Sequence, residues 1–374
     1  MWVVHNLLQR FEADKVELSG EMRQDAITAA LLHDLGHGPL SHVFENLTNH
    51  RFDHEAMTQQ IILKGPLKEK IARPDKVAGL LRGIVPANHS WVRDMLSGPL
   101  DADKMDYLLR DSHYTGTDYG LYDYDRLFQS LIVYERDGNR RLGVVEKGLS
   151  AAEAFILARD RMYWSVYYHK TTRGVENVLI SILTRVKDLI DQENAPYLEP
   201  VFQKVFKGES LLPEDMADFD DLTFHTHLRS WRRSDDTILA DLCHRYFDRV
   251  PFKAEELSGE QVKVYAQEKG KVEDAVRKIG LDPTYYCRLD YTEAYPYAPG
   301  FSDAEGQVVV VETDKASGVK SLKEITAESR VIRLLRGEHK ESSRIHSTPE
   351  GLKAIMEAIK AGAGRSVAAG EPGS

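Results

Sequence analysis

The sequence predicts a mainly α chain: a helical bundle with a small β-hairpin insertion, followed by a smaller C-terminal α+β domain. Three observations predict it. Apolar residues recur at helical spacing through most of the first 120 residues. Two short β-like runs flank the turn signal Asp137-Gly138-Asn139. After Pro251, helical and β-like runs alternate at short intervals.

Taken in order, Trp2, Val3, Leu7, Leu8 and Phe11 mark a first helix with no Ser, Thr, Asp or Asn ahead of its first apolar residue. A second helix over 21–34 carries Ile27, Ala30, Leu31 and Asp34 along one side and is broken by Gly36, Gly38 and Pro39. Shorter helices are expected over 55–64, over 74–85 behind Pro74, and over 101–112. Ser130–Tyr134 and Arg141–Val145 form the hairpin. A long, aromatic-rich helix is expected over 149–192, and an acidic then helical stretch over 213–248. Beyond Pro251 the pattern gives a helix at 269–279, β-like runs at 284–290, 307–312 and 331–335, and a last helix at 349–361. The expected domains are therefore 1–250 and 251–360, with a disordered Gly/Ala/Ser-rich tail over 361–374.

At 374 residues, 42% hydrophobic and 29% charged, the composition is that of a globular protein of two or three domains. The net charge of −10 argues against coating nucleic acid, although it does not exclude a local basic pocket for phosphates. The two cysteines, Cys243 and Cys287, make neither a disulfide framework nor a thiolate zinc site and fit a reducing cytosol. No apolar run approaches the roughly 20 residues of a membrane span, and no basic n-region with an apolar core opens the chain. A cytoplasmic protein is expected.

The chemistry concentrates in His33-Asp34-Leu-Gly-His37-Gly-Pro-Leu-Ser-His42, followed by Glu45 and His54. A lone His-Asp pair at a helix end is ordinarily structural, the imidazole complementing the helix dipole. These four histidines and two carboxylates, so close in sequence, favour a site instead. Imidazole suits Zn, Fe, Mn or Ni and carboxylate suits Mg or Mn, so a divalent metal ion is expected with its identity open. In a second segment, Asp103, Tyr107, Arg110 and Asp111 share a helical face opposite Met105 and Leu108, which can supply a further carboxylate or simply face solvent. In a third, Arg159, Tyr163, Tyr167 and Lys170 are spaced 4, 4 and 3. That face of cationic and phenolic groups suits a triphosphate and a stacked sugar or base; equally it describes an amphipathic helix covering a core.

Together the three segments resemble the HD superfamily of metal-dependent phosphohydrolases, and more narrowly its deoxynucleoside triphosphate triphosphohydrolase branch. The Gly-His-Gly-Pro continuation after His33-Asp34, the run Asp103-Lys104-Met-Asp-Tyr107-Leu-Leu-Arg110-Asp111 and the segment Arg159–Lys170 carry the resemblance, in order, over roughly residues 1–250. It implies His33, Asp34 and Asp103 as metal ligands. It implies His37 as the acid at the α-phosphate, or the group orienting the water, supported by Glu45 and His54. Lys104, Tyr107, Asp111, Arg159, Tyr163, Tyr167 and Lys170 would line the substrate pocket. Glu45 stands where the family often has Asp, and Tyr163 where relatives often carry His. The implied reaction is hydrolysis of a dNTP to deoxynucleoside and triphosphate, in a homo-oligomer with nucleotide effectors.

The family's first metal His, in an Arg-x-x-His-Ser-Leu-Gly segment, would fall before Met1 by register. His5 lies about nine residues later, which at about 100° per residue is the opposite helix face. The uncapped first helix favours a late start of the chain. Two other readings stand: another nucleotidase or nuclease on the same scaffold, and a nucleotide-binding module impaired in catalysis by the missing ligand.

Overall fold

Helices of the N-terminal half form where apolar spacing and end signals coincide. In the computed structural model, which describes residues 1–41, 43–44, 53–294, 297, 307–313, 320–336 and 340–368, α1 (Trp2–Ala13) buries Val3, Val4, Leu7, Leu8 and Phe11. Each such side chain contributes about 1.5–3 kcal/mol when fully buried. α2 (Gly20–Leu32) starts on Ser19, whose hydroxyl accepts the Met22 N–H at 3.1 Å. α3 (His54–Lys64) starts on Asp53 and α4 (Pro74–Leu81) on a proline in its first turn. α4 ends four residues before the expected 85, at a turn through Gly83 with φ +73°. α5 (Ser90–Leu96) is followed by α6 (Ala102–Thr115), which runs from an Asp101 cap to Gly116 at φ 68°. α7 (Tyr124–Ser130) leads into β1 (Leu131–Arg136) and β2 (Asn139–Val145). Arg136 pairs with Asn139, leaving a two-residue loop with Asp137 at φ 53° and Gly138 at φ 74°, a type I′ hairpin as the turn signal predicts.

The long helix expected over 149–192 is two helices. α8 (Leu149–Met162) widens into a π-turn over Tyr163–Tyr167. The backbone at His169 is then extended (φ −61°, ψ 136°), and its ring accepts the Thr171 N–H to cap α9 (Lys170–Asp191). α10 (Pro200–Lys207), α11 (Asp221–Trp231) and α12 (Thr237–Phe247) follow. Next come β3 (Lys253–Leu257), α13 (Gly259–Gln267), α14 (Lys269–Lys278), β4 (Arg288–Ala294), β5 (Val309–Thr313) and β6 (Lys320–Glu324). The strand expected at 331–335 is instead a helix, α15 (Arg330–Leu335), capped by Ser329, which accepts the Ile332 N–H at 3.0 Å. β7 (Lys340–Ser347) precedes α16 (Pro349–Ala368). The expected disorder is therefore corrected over 361–368, where helix continues; 369–374 lie outside the described residues.

Contacts divide the chain into two units, each assembled from three separated segments: Met1–His37, Asp53–Val166 and Ala294–His339 in one, Gly38–Phe52, Tyr167–Glu293 and Lys340–Ser374 in the other. In the first unit α1, α2, α5 and α6 pack around Phe11 and Trp91, whose rings meet edge-on at 5.4 Å. Its sheet has the order β1-β2-β5-β6, with β2 and β5 parallel and the other pairs antiparallel. Asp94 of α5 accepts from Arg141 Nε at 2.7 Å and from the Leu142 N–H at 3.0 Å, fixing the hairpin to the helices. The second unit holds the antiparallel pair β3–β7, with β4 on the other edge of β7. One core there is aromatic, Phe44 against Phe202, Phe219 and Phe224. A second gathers Leu257, Val264, Val272, Val276, Ile345, Ile355 and Ile359. No helix among the described residues is long and apolar enough to cross a membrane.

Candidate active site

The site is built in the first unit where α2 ends and α6 begins. His33, the C-cap of α2, keeps helical backbone angles (φ −58°, ψ −34°), and the turn runs on through Asp34 and Gly36. Asp103 lies in the first turn of α6, where the helix dipole favours a carboxylate. The His33 Nε2 is 3.2 Å from Asp34 Oδ2 and 3.5 Å from Asp103 Oδ1. One ligand atom from each of the three residues lies within 4.8 Å of the others.

The protonation of His33 decides what this arrangement means. Its Nδ1 is 3.3 Å from the Ala30 carbonyl, which only accepts, so Nδ1 carries the proton and a neutral ring turns its lone pair at Nε2 toward the carboxylates. Nε2 is closed to solvent and makes no well-aligned hydrogen bond. A lone pair facing two anions is stable only with a cation between them. Without a metal the proton fills that place: the close approach of Asp103 raises the His33 pKa against the effect of burial, and His33 in turn lowers that of Asp103. The donor set, one imidazole and two carboxylates held by a backbone carbonyl behind the ring, fits a divalent cation. Beside it opens a cavity of about 290 Å³, with Asp106 and Arg110 on its polar side and Leu31, Met95 and Leu96 on its apolar side.

His37 reaches the same place from the turn. Its Nε2 lies 3.9 Å from Asp34 Oδ1, and its ring stacks on His54 with centroids 3.9 Å apart and planes 15° from parallel. His37 lies just after the turn that ends α2 and His54 opens α3, so the two helices place the pair. Gly36 makes the approach possible, since a Cβ there would sit 2.0 Å from the His54 carbonyl.

Of the expected pocket residues, Tyr107, Arg159 and Tyr163 come together. Burial first, then Tyr163, raises the Tyr107 pKa, and Arg159 opposes the rise. The Arg159 guanidinium lies 5.3 Å over the Tyr163 ring, and its buried Nε has no hydrogen-bond partner. An orphaned guanidinium nitrogen beside two phenols suits an anion. Lys104 is placed differently. Its ammonium is bound to Asp101 and to the Gly98 carbonyl, so it anchors the start of α6. Asp101, missed in the sequence although Asp is a favoured residue ahead of a helix, is buried and its pKa is raised by that burial against the pull of Lys104. Asp111 is half-buried on α6. Tyr167 closes the π-turn and Lys170 opens α9, both in the second unit. Glu45 and His42 lie outside the described residues.

A helical unit carrying a His-Asp pair, a distal Asp and a turn-borne His defines a candidate metal centre of the His-Asp type. The HD domain matches residues 6–111 and the HD associated region residues 122–200. Over 355 residues the chain is 31% identical to the uncharacterized protein YwfO of Bacillus subtilis, spanning 92% of this chain and 78% of that protein. The chain belongs to the HD-domain family. A phosphohydrolase structure from Bacteroides thetaiotaomicron shares the fold, with a TM-score of 0.78 at 24% identity over 93% of this chain and 85% of its own. A deoxynucleoside triphosphate triphosphohydrolase SAMHD1 homolog from Dictyostelium discoideum is 27% identical over 199 residues, 49% of this chain and 38% of that protein.

Proposed function

We propose that the chain hydrolyses deoxynucleoside triphosphates to deoxynucleoside and triphosphate, with His33, Asp34 and Asp103 holding a divalent cation. The observation that carries this reading is the orphaned Arg159 Nε beside Tyr107 and Tyr163, on the same unit as the His33–Asp34–Asp103 trio. The SAMHD1-like relative supports the choice of substrate. The cation, when bound, supplies Lewis-acid polarisation of a phosphoryl oxygen and lowers the pKa of water. The remaining work falls to side chains. Arg159 neutralises phosphate charge from a half-buried position, where a charge-assisted hydrogen bond is strong. His37 delivers a proton to the departing deoxynucleoside oxygen. Asp34 lies 3.9 Å from its Nε2, and the stacked His54 fixes its plane.

Purified protein given Mn²⁺ and a panel of dNTPs is expected to release inorganic triphosphate and deoxynucleoside, resolved by ion-exchange chromatography. Release of pyrophosphate plus monophosphate, or of single phosphates, would overturn the dNTP reading in favour of another nucleotide or phosphate-ester hydrolase on this scaffold.

A further inference from the structure

The turn that carries Asp34 and His37 departs from the α-helical ladder. The Leu35 N–H bonds to Leu32 O at 3.2 Å, and the His37 N–H to Asp34 O at 3.2 Å, both three residues back. This tightening takes from the His33 carbonyl and the Gly36 N–H the partners that a continued helix would give them. Both are satisfied by one side chain. The Thr58 hydroxyl accepts the Gly36 N–H at 2.9 Å and donates to the His33 carbonyl at 3.1 Å. Thr58 is only 1% exposed, so water does not readily replace it. It also lies four residues after His54 on α3, and the two residues share the helix face that meets the turn.

We infer that Thr58 is a positioning residue of the metal centre. Its single O–H group spans the two peptides on either side of Asp34 and Leu35, setting the direction in which the Asp34 carboxylate and the His37 ring leave the backbone. It touches neither substrate nor cation and acts through His33, Asp34 and His37. The inference rests on the metal-site reading above, and it makes Thr58 a requirement for ligand geometry beyond its share in stability.

Thr58→Val keeps the side-chain shape and removes both hydrogen bonds; Thr58→Ser keeps both. Mn²⁺ binding measured by calorimetry on the folded, substrate-free proteins separates the possibilities. Thr58→Val is expected to weaken Mn²⁺ at least about 10-fold, as losing an outer partner of a metal ligand does, while Thr58→Ser stays within about 3-fold of the parent. Hydrogen exchange at the Gly36 amide should quicken in Thr58→Val alone. Should Thr58→Val not fold, Thr58→Ala carries the same expectation against Thr58→Ser. Unchanged Mn²⁺ affinity in a Val or Ala variant that merely melts earlier overturns the positioning role. Parent protein that binds no Mn²⁺ overturns the metal-site reading and the inference with it. Tight Mn²⁺ binding without dNTP turnover overturns the substrate assignment and leaves the Thr58 comparison intact.

Discussion

His33 shows how one residue can join several demands. Its Nδ1 satisfies a helix-end carbonyl, its own carbonyl is held from α3, and its Nε2 meets two carboxylates. Removing one of those carboxylates should affect metal binding first. Saturation at about 100 times the dissociation constant stabilises a protein by about 2.7 kcal/mol, so Mn²⁺ is expected to raise the melting temperature of the parent. Asp103→Asn should lower Mn²⁺ affinity by more than about 10-fold and cut that shift to about half or less at the same concentration, which differential scanning fluorimetry reads directly. An equal shift in the variant would place the cation elsewhere. At this scale the sequence was informative about identity and less so about commitment. His33 and Asp34 stand out by residue type and spacing, whereas Asp103 comes only with the resemblance. Nothing in the string tells that the Lys104 ammonium is taken by Asp101, because that depends on a buried cap forming at α6.

Among the elements, the reading succeeded where end signals and periodicity agreed and failed where short apolar runs stood alone. Val331-Ile-Arg-Leu-Leu335 is β-branched at its start and too short for periodicity to distinguish strand from helix; the Ser329 cap decided it. α13 was overlooked although Ser258 and Gln261 form a capping box. The π-turn after Met162 has no sequence mark at all, since an i→i+5 turn uses the same residues as the helix it interrupts. The elements of the second unit are tied by an interaction equally hidden from sequence: Arg173 of α9 grips Asp290 of β4, with the buried His346 of β7 at 3.5 Å. Burial would raise the Asp290 pKa, but the hydrogen bonds from Arg173 and the close approach of His346 outweigh it and hold the carboxyl well below the usual range. A depressed pKa gives stability that is present above the unfolded-state value near 4 and is lost as pH falls below it. Asp290→Asn, which leaves Arg173 without its buried partner, is expected to cost about 3–5 kcal/mol at pH 7 in urea denaturation. The gap between parent and variant should narrow toward pH 2 to 3; a gap that is constant with pH would assign the loss to packing.

For the molecule as a whole, the surprise is the order in which the chain is used. Pro251 was a reasonable boundary by composition, yet β5 and β6, beyond it, complete the sheet begun by β1 and β2. A chain ending at residue 250 keeps the trio and the anion-facing side chains but strips β2 of its parallel neighbour. It is expected to elute as aggregate on size-exclusion chromatography, where the full chain gives a defined species, because an open edge of β-branched residues pairs with other copies. A defined, Mn²⁺-binding species from the short chain would contradict this. The same pairing has a meaning in time. Val145 lies beside Val311, so during synthesis at about 5–20 residues per second the hairpin waits on the order of ten seconds or more for its neighbour to emerge from the ribosome. Through that interval its open edge is a natural client for a chaperone, and the helices that carry His33 and Asp103 remain attached to an unfinished sheet.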